Sequence, residues 1–168
     1  MRLPFTVEQF LDVFARMNQA LWPAPLGAYA LGLLSVVLAV RGGRGASFAV
    51  PALLAGAWGF VGAGYHLAFF AAVNPAAYLF GALFLSQAAL FLWAALRGRL
   101  SFGGRLSPRG VVGLALAAYA AVVYPLLGAR LGHGYPRSPT FGLTPCPTTI
   151  FTFGVLLLAA GPVPRRLL

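Results

Sequence analysis

Apolar positions in this chain form long unbroken runs, and the charges that interrupt them are few and grouped. No charge occurs between Arg16 and Arg41, Arg44 and Arg97, Arg109 and Arg130, or Arg137 and Arg165. About 20 consecutive apolar residues make a membrane-crossing helix, and the second gap has room for two. The pattern predicts an all-α, polytopic membrane bundle of about five transmembrane helices in one domain covering 1–168. The spans fall at about 25–40, 48–71, 75–96, 110–130 and 147–161. The last is thin, about 15 residues or roughly 22 Å at 1.5 Å per residue, before Pro162 and Pro164 stop it. It reads as a full crossing, a re-entrant piece, or half of a hairpin.

Residues 6–20 have a different period. Thr6 is placed to cap a helix, with Gln9 three residues on closing a capping box. Phe10, Phe14, Met17 and Leu21 recur at helical spacing, while Glu8, Asp12 and Arg16 recur on another face. Such a segment is expected to lie flat in the membrane interface as an amphipathic helix. Trp22, Pro23 and Pro25 then turn the chain into the first span. No apolar h-region of a cleaved signal peptide precedes it, so the chain is expected to insert whole. Small residues at Ala55, Gly59 and Ala63, with Gly56 alongside, predict a helix-packing face. The Gly128-xxx-Gly132 pair reads the same way.

Composition rules out the soluble alternative. Hydrophobic residues make up 60% of the 168 and charged residues 8%, against roughly a quarter charged in a soluble domain. The formal net charge of +10 comes entirely from arginines, with no lysine. They flank the apolar runs as anchors do, so the expected partner is the lipid bilayer and not nucleic acid. If every span crosses, Arg41, Arg44, Arg97, Arg99, Arg105, Arg109, Arg165 and Arg166 share one side. Arg2, Arg16, Arg130 and Arg137 share the other, with both acids, Glu8 and Asp12. The positive-inside rule puts the richer side in the cytoplasm. The expected location is the bacterial inner membrane, multi-pass, with the N-terminus outside.

The chemically distinctive residues collect toward that outer side. His66 lies inside a span beside Tyr65, and intramembrane ionisable groups usually face the bundle interior or a cavity. Asn74-Pro75 opens the third span as N-cap and first helical residue. His133 and Tyr135 lie in the 131–147 loop, and Cys146-Pro147 opens the fifth span with cysteine at the capping position. A thiol beside unpaired backbone N–H groups is a better metal ligand or nucleophile than an average one. Thr148 and Thr152 follow on one face, bonding their own helix or lining a shallow outer pocket. Gln87 in the third span is expected to hydrogen-bond between helices. Cys146, His66 and His133 together would form a soft-metal site for zinc, copper or mercury, or the histidines would hold a haem iron. Their spacing matches no metal motif. Both acids lie in the N-terminal helix and no histidine–acid pair stands at a useful spacing, so no catalytic triad can be assembled.

Several stretches look familiar. Tyr65-His66, Phe69-Phe70, Asn74-Pro75-Ala76-Ala77-Tyr78-Leu79-Phe80-Gly81 and Gln87 resemble a family of bacterial multi-spanning membrane proteins of unknown function. So do Gly132-His133-Gly134-Tyr135-Pro136, Pro139-Thr140-Phe141-Gly142, and Pro145-Cys146-Pro147-Thr148-Thr149-Ile150-Phe151-Thr152-Phe153-Gly154, with the opening Pro4-Phe5-Thr6-Val7-Glu8-Gln9-Phe10. The resemblance implies a membrane protein and lends no activity. Members of that family continue past the fifth span into another hydrophobic segment, where this sequence stops at Leu168.

Two functional expectations follow. The first is a small binding or transport-type protein with an outward-facing polar pocket lined by Tyr65, His66, Asn74, His133, Tyr135, Cys146, Thr148 and Thr149, taking a soft metal ion, a haem-like cofactor or a small anion. The second is a non-catalytic subunit or assembly factor of a larger membrane complex, partnered by other membrane subunits or by copies of itself. A thiol-dependent enzyme resting on Cys146 ranks third.

Overall fold

A computed structural model describes residues 4–104 and 107–167. Arg2 and Arg105, counted above in the charge balance, lie outside the described residues. Six helices occur among those described: α1 (Val7–Ala20), α2 (Ala24–Arg41), α3 (Arg44–Ala72), α4 (Ala77–Leu96), α5 (Pro108–Arg130) and α6 (Pro145–Leu157). A single antiparallel bridge joins Phe102 to Ala159, and no longer strand occurs among the described residues.

Helices α2 to α5, of 18, 29, 20 and 23 residues, are long and apolar enough to cross a membrane. Helix α6 has 13 residues, about 20 Å, and does not reach that length. In place of the expected five, four helices have crossing length and the other apolar one is shorter. It begins at Pro145, two residues before the expected span, and ends at Leu157, four short of it, where Ala159 bridges to Phe102. Pro139, Pro145 and Pro147 lack N–H donors, and Gly142 takes a left-handed φ of 78°, so residues 138–144 run irregularly before the helix can start.

That irregular stretch, expected as an outer loop, is largely packed into the protein. Ser138, Thr140, Phe141, Leu143 and Thr144 are buried. Phe141 is wedged against Gly32, where a Cβ would overlap its ring, and its centroid lies 5.5 Å from Tyr29 and 4.5 Å from Phe151. Buried irregular backbone must find hydrogen-bond partners inside the protein. Here Thr148 Oγ1 accepts from Gly142 N (3.1 Å), and Thr140 O accepts from Thr144 N (3.0 Å) and Thr144 Oγ1 (2.9 Å).

Helix α1 begins as its sequence directs, with Thr6 Oγ1 accepting from Gln9 N (3.2 Å) and Gln9 Oε1 accepting from Thr6 N (2.8 Å). Its apolar stripe, however, faces the bundle. Val13, Phe14 and Met17 are buried, and Phe14 stacks on Tyr65 of α3 at 5.7 Å. The stripe expected to meet the membrane interface is thus occupied by protein.

Small residues set the closest helix contacts. A Cβ at Gly113 of α5 would overlap the carbonyl of Gly154 in α6, and a Cβ at Gly154 would meet Gly113 O and, at 2.8 Å, Ala117 N. Between α3 and α4 the close approach is at Gly62 and Gly81. Of the expected face, Gly59 meets Ala88 at ordinary contact distance and Gly56 meets nothing within 4 Å. The Gly128/Gly132 pair serves a different end. Gly132, at φ 85°, terminates α5, with His133 N donating to Gly128 O (2.8 Å) and Gly132 N to Ala129 O (3.2 Å). This is a Schellman cap.

Gln87 bonds to the carbonyl of Leu167 (3.3 Å) in the short C-terminal turn Arg165–Leu167 rather than to another long helix. At the arginine-rich end, Arg109 donates to Ala159 O (2.7 Å) and Ala160 N to Ser101 O (2.8 Å), closing the end of α6 onto the start of α5. Helix α3 packs on α2 and α4, and α5 on α6.

Candidate functional site

At the end of the bundle opposite those closures lies a cavity of about 570 Å³. Phe10, Leu11 and Phe14 of α1 form one wall. Tyr65, His66 and Phe70 of α3 and Phe80 and Phe84 of α4 form a second. Tyr119, Tyr124, Leu127 and Leu131 around α5, with His133, Pro139, Thr144, Pro145 and Cys146, complete it. The lining is chiefly aromatic, and no arginine or carboxylate belongs to it among the described residues.

Two of the three long helices that border the cavity lose regular α-geometry there. Residues Val61–Phe69 of α3 and Tyr119–Val123 of α5 are π-helical. Such widened turns are frequent at functional sites. In α5 the cause is local. Pro125 cannot donate to the carbonyl of Ala121, and its ring crowds that oxygen, so the preceding turn opens. The widened turns carry Tyr65, His66 and Tyr119 to the cavity wall.

His66 is the unusual group. It is 4% exposed, and neither Nδ1 nor Nε2 has a hydrogen-bond partner. Leaving a buried polar group unsatisfied costs about 1–3 kcal/mol. Aromatic rings surround it, with centroids at 4.9 Å (Tyr65), 5.0 Å (Phe84), 5.8 Å (Phe80) and 6.3 Å (Phe70). None offers the imidazole a conventional partner.

The roof over the cavity is α1 stitched to residues 135–140. Asn18, fully buried, donates from Nδ2 to Pro136 O (2.8 Å) and Ser138 O (2.9 Å), and its Oδ1 accepts from Thr140 Oγ1 (2.8 Å). Outside, Arg137 pairs with Asp12 at 2.8 Å, half exposed on both sides. The Tyr135 hydroxyl donates to Asn18 O at 3.4 Å.

Of the expected pocket residues, Tyr65, His66, His133 and Cys146 share the cavity, and the other four do not line it. Asn74 turns its Oδ1 to Ala76 N (3.1 Å), shaping the bend before α4, whose helix begins at Ala77. Tyr135 belongs to the outer roof. Thr148 is buried and spent on Gly142, while Thr152 bonds Thr148 O (2.8 Å) and accepts from Trp58 Nε1 (2.9 Å). Thr149 is half-buried and does not line this cavity. The capping position of α6 belongs to Thr144, which places Cys146 inside the first turn.

The expected pocket is therefore aromatic rather than polar. Cys146, His66 and His133 border one space, but among the described residues no three His, Cys, Asp or Glu groups come close enough to hold a metal ion. A small anion would meet no cation on these walls. Sequence reasoning missed Asn18 and the aromatic residues of α1, α4 and α5. Asn18 was detectable as a polar residue one turn beyond Phe14 on the apolar stripe. The phenylalanines look like any lipid-facing residue until the helices are assembled.

A second cavity of about 590 Å³ lies at the arginine-rich end. Its lining arginine, Arg109, is already engaged with Ala159 O, and no buried side-chain atom there lacks a partner among the described residues. The aromatic cavity is the better site.

No curated protein and no solved structure matches this chain. A family model does match, over residues 7–168, and on that match the chain belongs to a family of unknown function, DUF6064.

Proposed function

We propose that this protein is a membrane-embedded binding protein whose aromatic cavity takes a small, mostly apolar ligand through one hydrogen bond to His66. The observation that carries the reading is a buried imidazole with two unpartnered nitrogens, in a residue that borders a 570 Å³ space, so that turning the ring would present one nitrogen to an occupant. A ligand that satisfies one nitrogen recovers part of the desolvation cost, and a site built to hydrogen-bond strongly rejects molecules that cannot do so. Placement in the bacterial inner membrane, with the cavity end and α1 outside, is supported by four long apolar helices and by the arginines at the other end.

The test is uptake of an uncharged, environment-sensitive fluorophore, apolar except for one carbonyl that can accept a hydrogen bond, by the purified full-length protein in detergent. Wild type should bind it saturably. Cys146→Trp, which places an indole in the cavity, should weaken binding by about tenfold or more, roughly 1.4 kcal/mol per decade. Equal binding by both proteins would remove the cavity reading.

A further inference from the structure

We infer that the seam between α2 and α5 seats one anionic phospholipid, its phosphate against Arg109 and one acyl chain along the groove toward Tyr29. The site is separate from the aromatic cavity and does not depend on the reading of it.

The groove is built from two spaces in line. The 590 Å³ cavity at the arginine-rich end is bordered by Ala39 and Val40 of α2 and by Arg109 and Gly110 of α5. A further cavity of about 580 Å³ lies between the same two helices, bordered by Leu33 and Val36 of α2 and by Leu114 and Ala118 of α5. Val36 precedes Val40 by about one helical turn, and Leu114 follows Gly110 by the same step, so the second space continues the first into the bundle. Its inner end is at Tyr29. From Val40 to Tyr29 the groove runs roughly 16 Å at 1.5 Å per residue. That is close to half of the roughly 30 Å hydrocarbon core of a bilayer, the depth of one leaflet's tails.

The two parts differ in chemistry as the two parts of a lipid do. The inner part is walled by aliphatic side chains and alanines over Phe141 and Phe151, whose ring centroids lie 4.5 Å apart. Leu33 on its rim is 67% exposed, so the groove faces acyl chains when the bundle spans a bilayer. The outer part carries Arg109. Its Nη2 donates to the carbonyl of Ala159 (2.7 Å), another bordering residue. That bond holds the guanidinium at the wall and uses one of its five donors.

Charge selects the headgroup. Arg41 ends α2, Arg44 begins α3 and Arg97 follows α4, all at this end. Both acids of the chain, Glu8 and Asp12, belong to α1 at the other end, and Asp12 pairs with Arg137. No aspartate or glutamate side chain competes for these arginines. A guanidinium holds phosphate oxygens through paired, charge-assisted hydrogen bonds, and clustered arginines at a membrane surface favour lipids with net negative charge. A fatty-acid carboxylate is small for a 590 Å³ space. A second copy in the same membrane orientation would cover the apolar part but bring arginine against arginine.

The probe is phosphatidylglycerol, added to the delipidated full-length protein in detergent and followed by native mass spectrometry, with phosphatidylcholine as the zwitterionic control. Wild type should retain one phosphatidylglycerol about tenfold more tightly than phosphatidylcholine, a comparison that needs no variant. Arg109→Gln should weaken retention about tenfold, and Arg109→Lys, which keeps the cation, less. Ala118→Trp, which fills the groove, should weaken it as much as Arg109→Gln. Val112→Trp, on the exposed opposite face of α5, should leave it unchanged. Equal retention of the two lipids by wild type overturns the assignment. So does a loss in Arg109→Gln that Ala118→Trp does not share, which would mean adsorption to the arginine face without a seated tail. A lipid-free dimer that Ala118→Trp breaks would give the groove to a second copy instead.

Discussion

The two ends of this bundle are built from similarly apolar sequence and reach opposite results. Along the seam of α5 and α6, Gly113 and Gly154 bring backbones together so closely that neither position has room for a Cβ. At the other end, α3 and α5 open into π-turns, and large rings stand around a space they do not fill. Without a hydrophobic force to drive helices together in lipid, association depends on close packing. Glycines supply that at one end. At the other, proline-disturbed and widened helices with bulky rings prevent it, and an unsatisfied histidine remains on the wall. The contrast teaches that the cavity is a local failure of packing held open by a well-packed remainder.

The largest expected effect comes from breaking the closed end. Gly154→Ala puts a methyl group onto Gly113 O and Ala117 N, backbone atoms that cannot swing aside, and should cost about 3 kcal/mol. Thermal unfolding in detergent, followed by circular dichroism, should show a clear fall in Tm. An unchanged Tm would mean that the seam is not close-packed.

Unfastening the roof comes next. Asn18→Ala strips the buried Ser138 carbonyl, the part-buried Pro136 carbonyl and the Thr140 hydroxyl of their partner, at a cost of about 2 kcal/mol. Hydrogen exchange should rise across residues 135–144 while α5 and α6 stay protected. Uniform exchange over the whole chain would show that the roof is not a separable unit.

A change at the open end should act with the reverse sign. His66→Phe removes two unsatisfied nitrogens from an aromatic setting and should raise ligand-free stability by about 1 kcal/mol, while ligand affinity falls. This is the trade expected where a site keeps a destabilising group for function. A loss of stability would show that the imidazole is satisfied in solution. The smallest effect belongs to Asp12→Asn. Its ion pair with Arg137 is half exposed, so the change should cost under about 1 kcal/mol and shrink further in high salt.

Much of the scaffold was legible in the residue pattern. The charge-free gaps located all four long helices to within a few residues, and the Thr6/Gln9 capping box stands as read. Less was legible near residue 140. A short run after several prolines reads equally well as a crossing or a partial helix, because hydropathy reports that a segment is apolar, not whether it is helical. The Schellman cap at Gly132 was read as a packing motif because glycine spacing alone does not distinguish the two uses. Thr148 was read as bonding its own helix or lining a pocket; its partner, the N–H of Gly142, comes from an irregular stretch whose path the residue pattern does not give.

The chain itself determined that its helices are apolar and where charge would stop them, since a run of nonpolar side chains has that property regardless of its neighbours. Tertiary structure alone decided which polar groups were spent and which were left over. Asn18 found three partners more than a hundred residues away, and Thr148 found one on an irregular stretch, whereas His66 was folded into a ring of aromatics with none. Hydrogen-bond satisfaction depends on what distant segments bring within about 3 Å, and that distance exists only once the chain is packed.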